Sequence, residues 1–315
     1  MDSKIISLSR ERPLAITAFV LLFVAGCSSN KTEEVFLKVF SEKDLTLPLD
    51  AYDLDPLQRS VVDQADFKIA DLCLGKFGLR MPSSKNTKPV KYPKNADYAG
   101  WLAPRDVKKY GYQGPPGMRD EAWAAQDGRR AFIIPSNIDA AYTGLGKKVV
   151  NGIKVPDGGC ADEAERALNT GAPSPAGSSS AKPREHKQML GLMDSASEVA
   201  FKDTRLTEAD KRWSACMREQ GYSYSAPYAA ENDQRWKENV NLETRRRPVT
   251  SLEIQTAVAD EQCRNETDYF GARLAVYTDA QNRVIAANKD KVSRLQKLMY
   301  TRYANARKIL GLASR

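Results

Sequence analysis

Five cysteines are the residues of this 315-residue chain whose type and spacing could support covalent chemistry. The first, Cys27, follows Val24-Ala25-Gly26 at the end of an apolar run that begins at Leu14. Basic residues precede this run of eleven residues, which is too short for a permanent membrane-spanning helix. Small residues before a cysteine are the pattern that a lipoprotein-processing peptidase cleaves after the thiol has been acylated. We therefore expect Cys27 to carry lipid, and an ordinary secretory signal with a chance cysteine is the alternative.

The same leader predicts where the rest of the chain is located. Removal of residues 1–26 would leave Cys27 as the acylated N-terminus, followed by a short polar tether within residues 27–33. Two acyl chains hold a protein on a bilayer far more firmly than one chain does. We therefore expect a body bound to membrane lipid through Cys27 on the extracytoplasmic face of the cell membrane.

Composition and charge are typical of a folded, basic body. Hydrophobic residues make up 42% and charged residues 28% of the chain, which are ordinary globular values. The net charge is +8, and the leader contributes only one unit of it, with three basic and two acidic residues. Such an excess beside a membrane favours contact with anionic headgroups or anionic wall polymers. The densest basic run, Arg245-Arg246-Arg247, is more typical of a solvated loop, and no nucleic-acid-binding motif accompanies it.

The cysteines that remain after lipidation are even in number: Cys73, Cys160, Cys216 and Cys263. In an oxidising compartment, four cysteines suggest two disulfides. They allow three pairings, and spacing alone does not choose among these. No Cys-x-x-Cys motif is present, so a thioredoxin-like redox mechanism has no support.

A faint internal duplication favours one of the three pairings. In each half a glycine follows a cysteine by five residues, after Cys73 in the first half and after Cys216 in the second. Each half later has the pattern Cys-x-[Asp/Asn]-Glu-x-[Glu/Asp], which begins at Cys160 and at Cys263. If each half is one unit, Cys73 pairs with Cys160 and Cys216 pairs with Cys263. The two glycines precede prolines and should end helices, which places the cysteine before each of them in the last turns.

Residues 34–168 are predicted to form the first unit, in which a helix precedes a Gly-, Pro- and Tyr-rich irregular region. Asp55 should cap this helix, which has an apolar stripe at helical spacing over Pro56–Phe77. The later elements are a short strand at Arg130–Pro135, a hairpin with an Asn-Gly turn at Val149–Val155, and a short helix at Cys160–Leu168.

Residues 169–184 read as a linker, and residues 185–315 are predicted to form a second, all-helical unit. The predicted helices are Glu185–Phe201, one opened by a capping box at Thr207–Asp210, a weaker one at Tyr228–Val240, and a last one capped by Thr250. The last helix either continues to about Leu310, bent at Gly271, or folds back at Asn288-Lys289. The predicted fold class is mainly α: a helical bundle-like body of two disulfide-stapled units, with a long C-terminal helix and a small β-hairpin in the first unit.

Four sequence motifs together carry a resemblance to a protein family. They are the lipobox, Val-Asn-Gly…Val-Pro-Asp-Gly-Gly-Cys160, Trp213-Ser-Ala-Cys216-Met…Gly221-Tyr and Ala259-Asp-Glu-Gln-Cys263-Arg…Thr267. In these the chain resembles a group of uncharacterised surface lipoproteins of Gram-positive actinobacteria, over most of its mature length. The resemblance implies a location at the cell surface and carries no assigned activity.

Catalytic chemistry has little support in the sequence. The single histidine, His186, stands beside the linker in a charged helical segment typical of a surface, and no nucleophile-elbow motif is present. One histidine and bridged cysteines leave too few soft ligands for zinc, and glycine-rich phosphate motifs are absent, so we expect no metal and no cofactor. Glu163 and Glu266, which the repeat relates, are the best remaining pair for acid–base cleavage of wall glycan. Carboxylates in helix first turns are more often structural, so we predict no catalytic residues.

The favoured interpretation is a membrane-anchored, non-enzymatic structural or interaction module of the cell envelope, with envelope proteins or anionic wall polymers as partners. Its candidate contact regions are the segment around Tyr110-Gly-Tyr112, Trp123, and the exposed face of the last helix. The alternative is a solute-binding lipoprotein of a transport system, although the alternating βαβ pattern of two-lobed binding folds is missing. An aromatic-lined cleft would favour solute binding, and two close, buried carboxylates would favour an enzyme.

Overall fold

The computed structural model describes residues 36, 38–82, 88–173, 185–237, 241 and 246–312, with the side chains of 185–187 left aside. The chain divides into two units, and these residues fall in the second, Phe36–Arg315. Cys27, with the predicted leader and tether, lies outside the described residues. So do residues 174–184 of the predicted linker.

The described chain is mainly helical, as predicted. In order, the helices are α1 Pro56–Gly75, α2 Ala96–Ala99, α3 Val107–Tyr110, α4 Met118–Asp127, α5 Asp139–Thr143, α6 Gly159–Leu168, α7 Glu185–Ala200, α8 Thr204–Glu219, α9 Pro227–Glu231, α10 Ser251–Glu266, α11 Tyr269–Ala287 and α12 Lys289–Leu310. Short 3-10 turns lie at Glu42–Asp44, Pro48–Tyr52, Ala103–Arg105, Gly111–Gln113 and Gln234–Trp236. Strands β1 (Val149–Val150) and β2 (Ile153–Lys154) form the antiparallel hairpin.

Local sequence explains where several elements begin. The Asp55 carboxylate accepts hydrogen bonds from the backbone N–H groups of Leu57 and Gln58, both at 2.8 Å, so it caps α1 as predicted. Thr250 caps α10, since its hydroxyl accepts from the Glu253 N–H at 3.1 Å. The hairpin turn has positive φ at both central residues, +47° at Asn151 and +78° at Gly152, as a type I′ turn requires.

Both predicted disulfides are present. Cys73 is bonded to Cys160 and Cys216 to Cys263, with Cα–Cα distances of 5.5 and 5.7 Å. Each pair joins the last turns of one helix to a second helix: α1 to α6, and α8 to α10. The fold therefore uses the repeated cysteine pattern as two helix-to-helix staples, each of which restricts the unfolded chain and adds roughly 3–5 kcal/mol of stability.

Three local predictions are wrong. Arg130–Pro135 forms no strand, because Arg130 instead binds Glu121 and backbone carbonyls, and no strand of the described residues pairs with the segment. Thr207 does not open α8, because the helix begins one turn earlier, where the Asp203 carboxylate accepts from the Arg205 N–H at 2.9 Å. The helix predicted from Tyr228 ends at Glu231, and Asp233 then caps a separate 3-10 turn.

The last predicted helix is three helices. It breaks first at Asp268, whose backbone is left-handed with φ of +51°, and not by bending at Gly271. It breaks again at Asn288, the predicted fold-back position, where φ is −129°. Helix α11 packs against α7 and α8, whereas α12 packs against α1 and α6. The 22-residue α12 is the long C-terminal helix of the prediction.

The core consists of three apolar clusters. The first joins α1, α7, α11 and α12, the second surrounds Trp213 and Phe270, and the third lies around the Cys73–Cys160 bridge. Residues before 169 and after 184 share the first two clusters, so both halves contribute to one compact unit. Within the ranges given above, none of the helices is both long and apolar enough to span a bilayer.

Candidate binding cleft

A buried carboxylate organises the second apolar cluster. Asp260, on α10, has no exposed surface, and its two oxygens accept four hydrogen bonds. Trp213 Nε1 donates at 2.8 Å, the Tyr112 hydroxyl at 3.0 Å, and the Arg264 guanidinium at 2.7 and 2.8 Å. Charge-assisted bonds of this kind offset the cost of removing a carboxylate from water.

Arg264 extends this network to the surface. Its remaining N–H groups donate to the Gly100 carbonyl at 2.6 Å and to Glu231 at 2.8 Å, and Glu231 also pairs with Arg105 at 3.1 Å. Burial acts to raise the pKa of Glu231, but the charges of Arg105 and Arg264 outweigh it and lower that pKa below its ordinary value. Glu231 is therefore ionised and held between two arginines.

Tyr112 is fixed from both ends. Burial, and then the negative charge of Asp260, raise the pKa of its phenol far above the ordinary range, so the hydroxyl stays a neutral donor. Its backbone N–H donates to the buried carboxylate of Glu253 at 3.0 Å, and Arg247 pairs with the same carboxylate. Gly111 makes this approach possible: its φ is +55°, and a Cβ there would lie 2.7 Å from Glu253 Oε1.

Above this network opens a cavity of about 800 Å³, which we call the outer cleft. Four aromatic side chains line it, three of them buried: Tyr92, Tyr112, Trp236 and Trp123. Trp123, on α4, is 67% exposed, so its ring is accessible to a ligand that enters the outer cleft. The outer cleft therefore combines a rigid aromatic floor with one exposed aromatic wall.

The charges around the outer cleft are unequal. Five cationic residues line it, against three carboxylates: Arg105, Arg119, Lys237, Arg246 and Arg247 against Asp97, Asp120 and Glu231. Arg105 and Arg247 are committed to carboxylates, and Arg246 donates to the Gly114 carbonyl at 3.0 Å. Arg119 and Lys237 are exposed. Glu253 lies outside the lining and offsets Arg247, so the balance is five cations against four carboxylates. The remaining excess is one positive charge, and a concave site with such an excess attracts anions.

The structure brings two of the predicted contact residues together, because Tyr112 and Trp123 line the same cleft. Tyr110 is not among the lining residues and lies under the Lys109 ammonium, 5.0 Å from it. The exposed face of α12 includes Tyr300, which is 42% exposed. Arg246 and Arg247 line the outer cleft, although the sequence favoured a solvated loop, and Arg245 lies outside the described residues.

The carboxylates of the catalytic alternative do not share a site. Glu163 pairs with Lys76 at 3.0 Å, whereas Glu266 accepts from Gln262 at 2.7 Å. Each belongs to the helix of its own disulfide, α6 or α10. His186 lies in α7, and its side chain is outside the described residues.

The residues that the sequence did not reveal are Trp236, Tyr92 and Arg105. They come from separate irregular segments that only the tertiary fold joins, so no periodic pattern marks them. In the described part of the chain, no group of three or more His, Cys, Asp or Glu side chains is arranged to hold a metal ion.

The lining residues and distances given above define the outer cleft. Comparisons of the chain with protein-family models, with curated proteins and with solved structures found no match.

Proposed function

We propose that this chain is a lipid-anchored, non-enzymatic binding module on the extracytoplasmic face of the cell membrane, which holds an anionic wall polymer in the outer cleft. The observation that carries the proposal is the exposed ring of Trp123 among cationic side chains, over a rigid aromatic floor. The lipobox at Cys27 and the resemblance to actinobacterial surface lipoproteins support the location.

The chemistry of the lining residues suits a polymer that alternates acidic groups and rings. Arginine and lysine bind phosphate and carboxylate oxygens through charge-assisted hydrogen bonds. Tyrosine and tryptophan offer large, flat, apolar faces at a low cost in side-chain entropy. Arg119 lies one helical turn before Trp123 on α4, so a cation and a ring follow one another along the cleft wall.

The carboxylates near the outer cleft support binding more than catalysis. Asp260 is fully buried and Glu231 is partly buried, and Arg264 holds both, with Arg105 also holding Glu231. A general acid needs a raised pKa and access to its substrate. The two arginines lower the pKa of Glu231, whereas Asp260, whose pKa burial raises, has no exposed surface from which to reach a substrate. The carboxylates therefore serve to fix Tyr112, Arg105 and the cleft floor in place.

The test uses the full acylated chain in lipid nanodiscs and an immobilised, sugar-substituted glycerol-phosphate wall polymer. Trp123→Ala should weaken binding about tenfold, because an aromatic anchor that the ligand covers and desolvates contributes on the order of 1.4 kcal/mol or more. Arg119→Glu should lower the affinity for the polymer. It should also make that affinity less sensitive to salt between about 0.05 and 0.5 M. The matched controls are Tyr300→Ala and Arg294→Glu on α12, whose residues are exposed and lie outside the cleft lining.

Equal losses in Arg119→Glu and Arg294→Glu would mean that the net charge of the protein, and not the outer cleft, binds the polymer. Equal losses in Trp123→Ala and Tyr300→Ala would mean that the exposed face of α12 contributes as much as the cleft, which also contradicts the proposal. Binding to empty nanodiscs sets the background. If the wild-type chain binds the polymer no better than this background, the proposal is wrong.

A further inference from the structure

The β-hairpin projects from the body of the protein. Nine of the ten residues 145–154 are exposed. A Cβ at Gly146 or at Gly152 would meet no atom within 4 Å, so the space beside both positions is open. The turn nevertheless has a firm base, because Asn151 Nδ2 donates to the Phe77 carbonyl at the end of α1, at 2.7 Å. The hairpin is therefore an accessible surface that is held in place.

Three large apolar side chains of this hairpin face water. Leu145, Val149 and Ile153 are 71%, 56% and 42% exposed. Val150, which pairs with Ile153, packs against the third apolar cluster, so the body covers one apolar side chain of β1 and leaves the other outside. Single exposed apolar residues are ordinary on a protein surface. Three of them within one projecting hairpin indicate a contact surface.

The charges of the hairpin are all positive. Lys147, Lys148 and Lys154 are exposed, and residues 140–156 include no acidic side chain. Val149 lies directly opposite Lys154 in the antiparallel pair, so an apolar and a cationic side chain share the outer face of the hairpin. The surface is therefore both apolar and basic.

The neighbouring end of α1 leaves this positive charge in place. Lys76 pairs with Glu163 and Arg80 pairs with Asp71, both at 3.0 Å. The cations and the carboxylates of these pairs cancel. The positive charge that an approaching partner meets is therefore that of the hairpin lysines.

The charge of the hairpin favours one kind of occupant. A second copy of this hairpin would bring three more lysines against the first three, and like charges oppose such a contact. An anionic bilayer fits both features, since apolar side chains enter the boundary between headgroups and acyl chains while lysines reach the headgroup phosphates. The unpaired backbone edges of a two-stranded sheet find no partners in hydrocarbon, which limits the contact to that boundary.

The proposed lipid at Cys27 would bring a bilayer close to the body. Phe36 comes nine residues after Cys27, and even a fully extended chain of that length spans at most about 30 Å. Phe36 packs against the second apolar cluster, whereas the hairpin belongs to the third. The first cluster joins these two, because it shares α11 with the second and α1 with the third. The lipid and the hairpin would therefore hold different parts of the body.

We propose that the hairpin, residues 145–154, is a second membrane contact, with Leu145, Val149 and Ile153 at the acyl boundary of an anionic bilayer. This inference rests on the membrane location in the proposed function and is independent of polymer binding in the outer cleft. With the hairpin docked, the anchored body keeps one orientation over the membrane instead of turning about its lipid.

Tryptophan reporters test the contact in the full acylated chain, held in nanodiscs of equal parts phosphatidylglycerol and phosphatidylcholine. The fluorescence that Val149→Trp adds to that of the wild type should be mostly lost when the lipids carry brominated acyl chains. Leu145→Trp is the second reporter if the first variant does not fold. Tyr300→Trp, at an exposed aromatic position on α12, should keep its added fluorescence. Equal quenching at positions 149 and 300, or no quenching at either hairpin position, would overturn the proposal.

Charge variants test the role of the lysines. Lys147→Glu combined with Lys154→Glu should lower the ratio of docked to undocked hairpin about tenfold or more, because each lysine beside an anionic membrane adds to its attraction. The charge-matched control combines Lys289→Glu with Lys297→Glu, both exposed on α12. Equal loss of quenching in the two double variants, or unchanged quenching in pure phosphatidylcholine, would contradict the proposal. So would Val149→Trp emission that lipid leaves unquenched and that shifts to the blue as chain concentration rises, which would indicate a second copy.

The hairpin contact and the proposed function fail separately. A chain that leaves the nanodiscs in high salt would refute the lipid anchor, and the reporters are then read with an excess of vesicles of the same lipids, where quenching at position 149 should persist. Polymer binding should survive in the Lys147 and Lys154 double variant, and quenching at position 149 should survive in Arg119→Glu. Loss of the quenching in Arg119→Glu would contradict a contact made by the hairpin.

Discussion

Arg264→Met is the perturbation that tests the buried network most severely. Arg264 is 1% exposed and donates four hydrogen bonds, two to Asp260, one to Glu231 and one to the Gly100 carbonyl. Methionine has a similar volume and removes all four bonds. The Asp260 carboxylate would remain fully buried with only the neutral donors Trp213 and Tyr112.

The expected loss follows from what is left behind. Removal of one partner of a buried ion pair typically costs about 3–5 kcal/mol, because the other charge stays buried without compensation. Native domains have a free energy of unfolding of only about 5–15 kcal/mol, so the variant should be close to the limit of stable folding. Arg264→Lys should recover part of the loss, since an ammonium restores the charge but not the two-point contact with Asp260.

The assay is equilibrium urea unfolding of the oxidised protein, followed by tryptophan fluorescence and by circular dichroism. The matched control is Arg294→Met, an exposed arginine on α12, which should change the free energy of unfolding by less than about 0.5 kcal/mol. A loss below about 1 kcal/mol in Arg264→Met would refute the reasoning, because it would mean that Asp260 does not depend on this cation.

Three further predictions concern other parts of the fold. Burial raises the pKa of Asp63 from 3.8 to about 6, so its ionisation lowers the stability of the folded state as the pH rises from 3.8 to about 6, and the full loss persists above that. Asp63→Asn should raise the free energy of unfolding by up to about 3 kcal/mol near pH 7.5 and by much less near pH 4, as measured by urea unfolding at both values. Gly111→Ala should lower the melting temperature and weaken polymer binding, whereas Gly75→Ala, in open space at the end of α1, should do neither. A variant with serine at both Cys73 and Cys160 should lose roughly 3–5 kcal/mol in the same urea assay. Similar free energies of unfolding for this variant and the wild type, both with the Cys216–Cys263 bond oxidised, would contradict the reasoning that the bond restricts the unfolded chain.

The parts of the fold that the sequence predicts well are those decided by a few neighbouring residues. Asp55 with Pro56 and Thr250 with Glu253 begin helices because each cap acts within one turn. The Asn-Gly turn similarly needs only two residues. The disulfide pairing follows from the repeated cysteine pattern, which relates positions 47 and 87 residues apart without any knowledge of the packing.

The outer cleft could be predicted only in part, for a physical reason. Tyr112 and Trp123 stand out in a Tyr-rich segment. Trp236 reaches the same cleft from a short 3-10 turn, which no periodic pattern in the sequence predicts. Asp260 and Arg264 look like an ordinary exposed pair four residues apart on a helix, and only packing against Trp213 shows that they are buried. The lipidation of Cys27 remains a prediction from the leader.

The proposed binding of an anionic wall polymer in the outer cleft can be tested on the protein in its own membrane. The most direct measurement places a photo-reactive phenylalanine at position 123 of the full chain in living cells, with position 300 as the exposed aromatic control. Illumination should attach polymer phosphate and sugar to the membrane fraction of the protein at position 123 and not at position 300. Equal labelling at the two positions, or protein labelled only by lipid, would contradict the account.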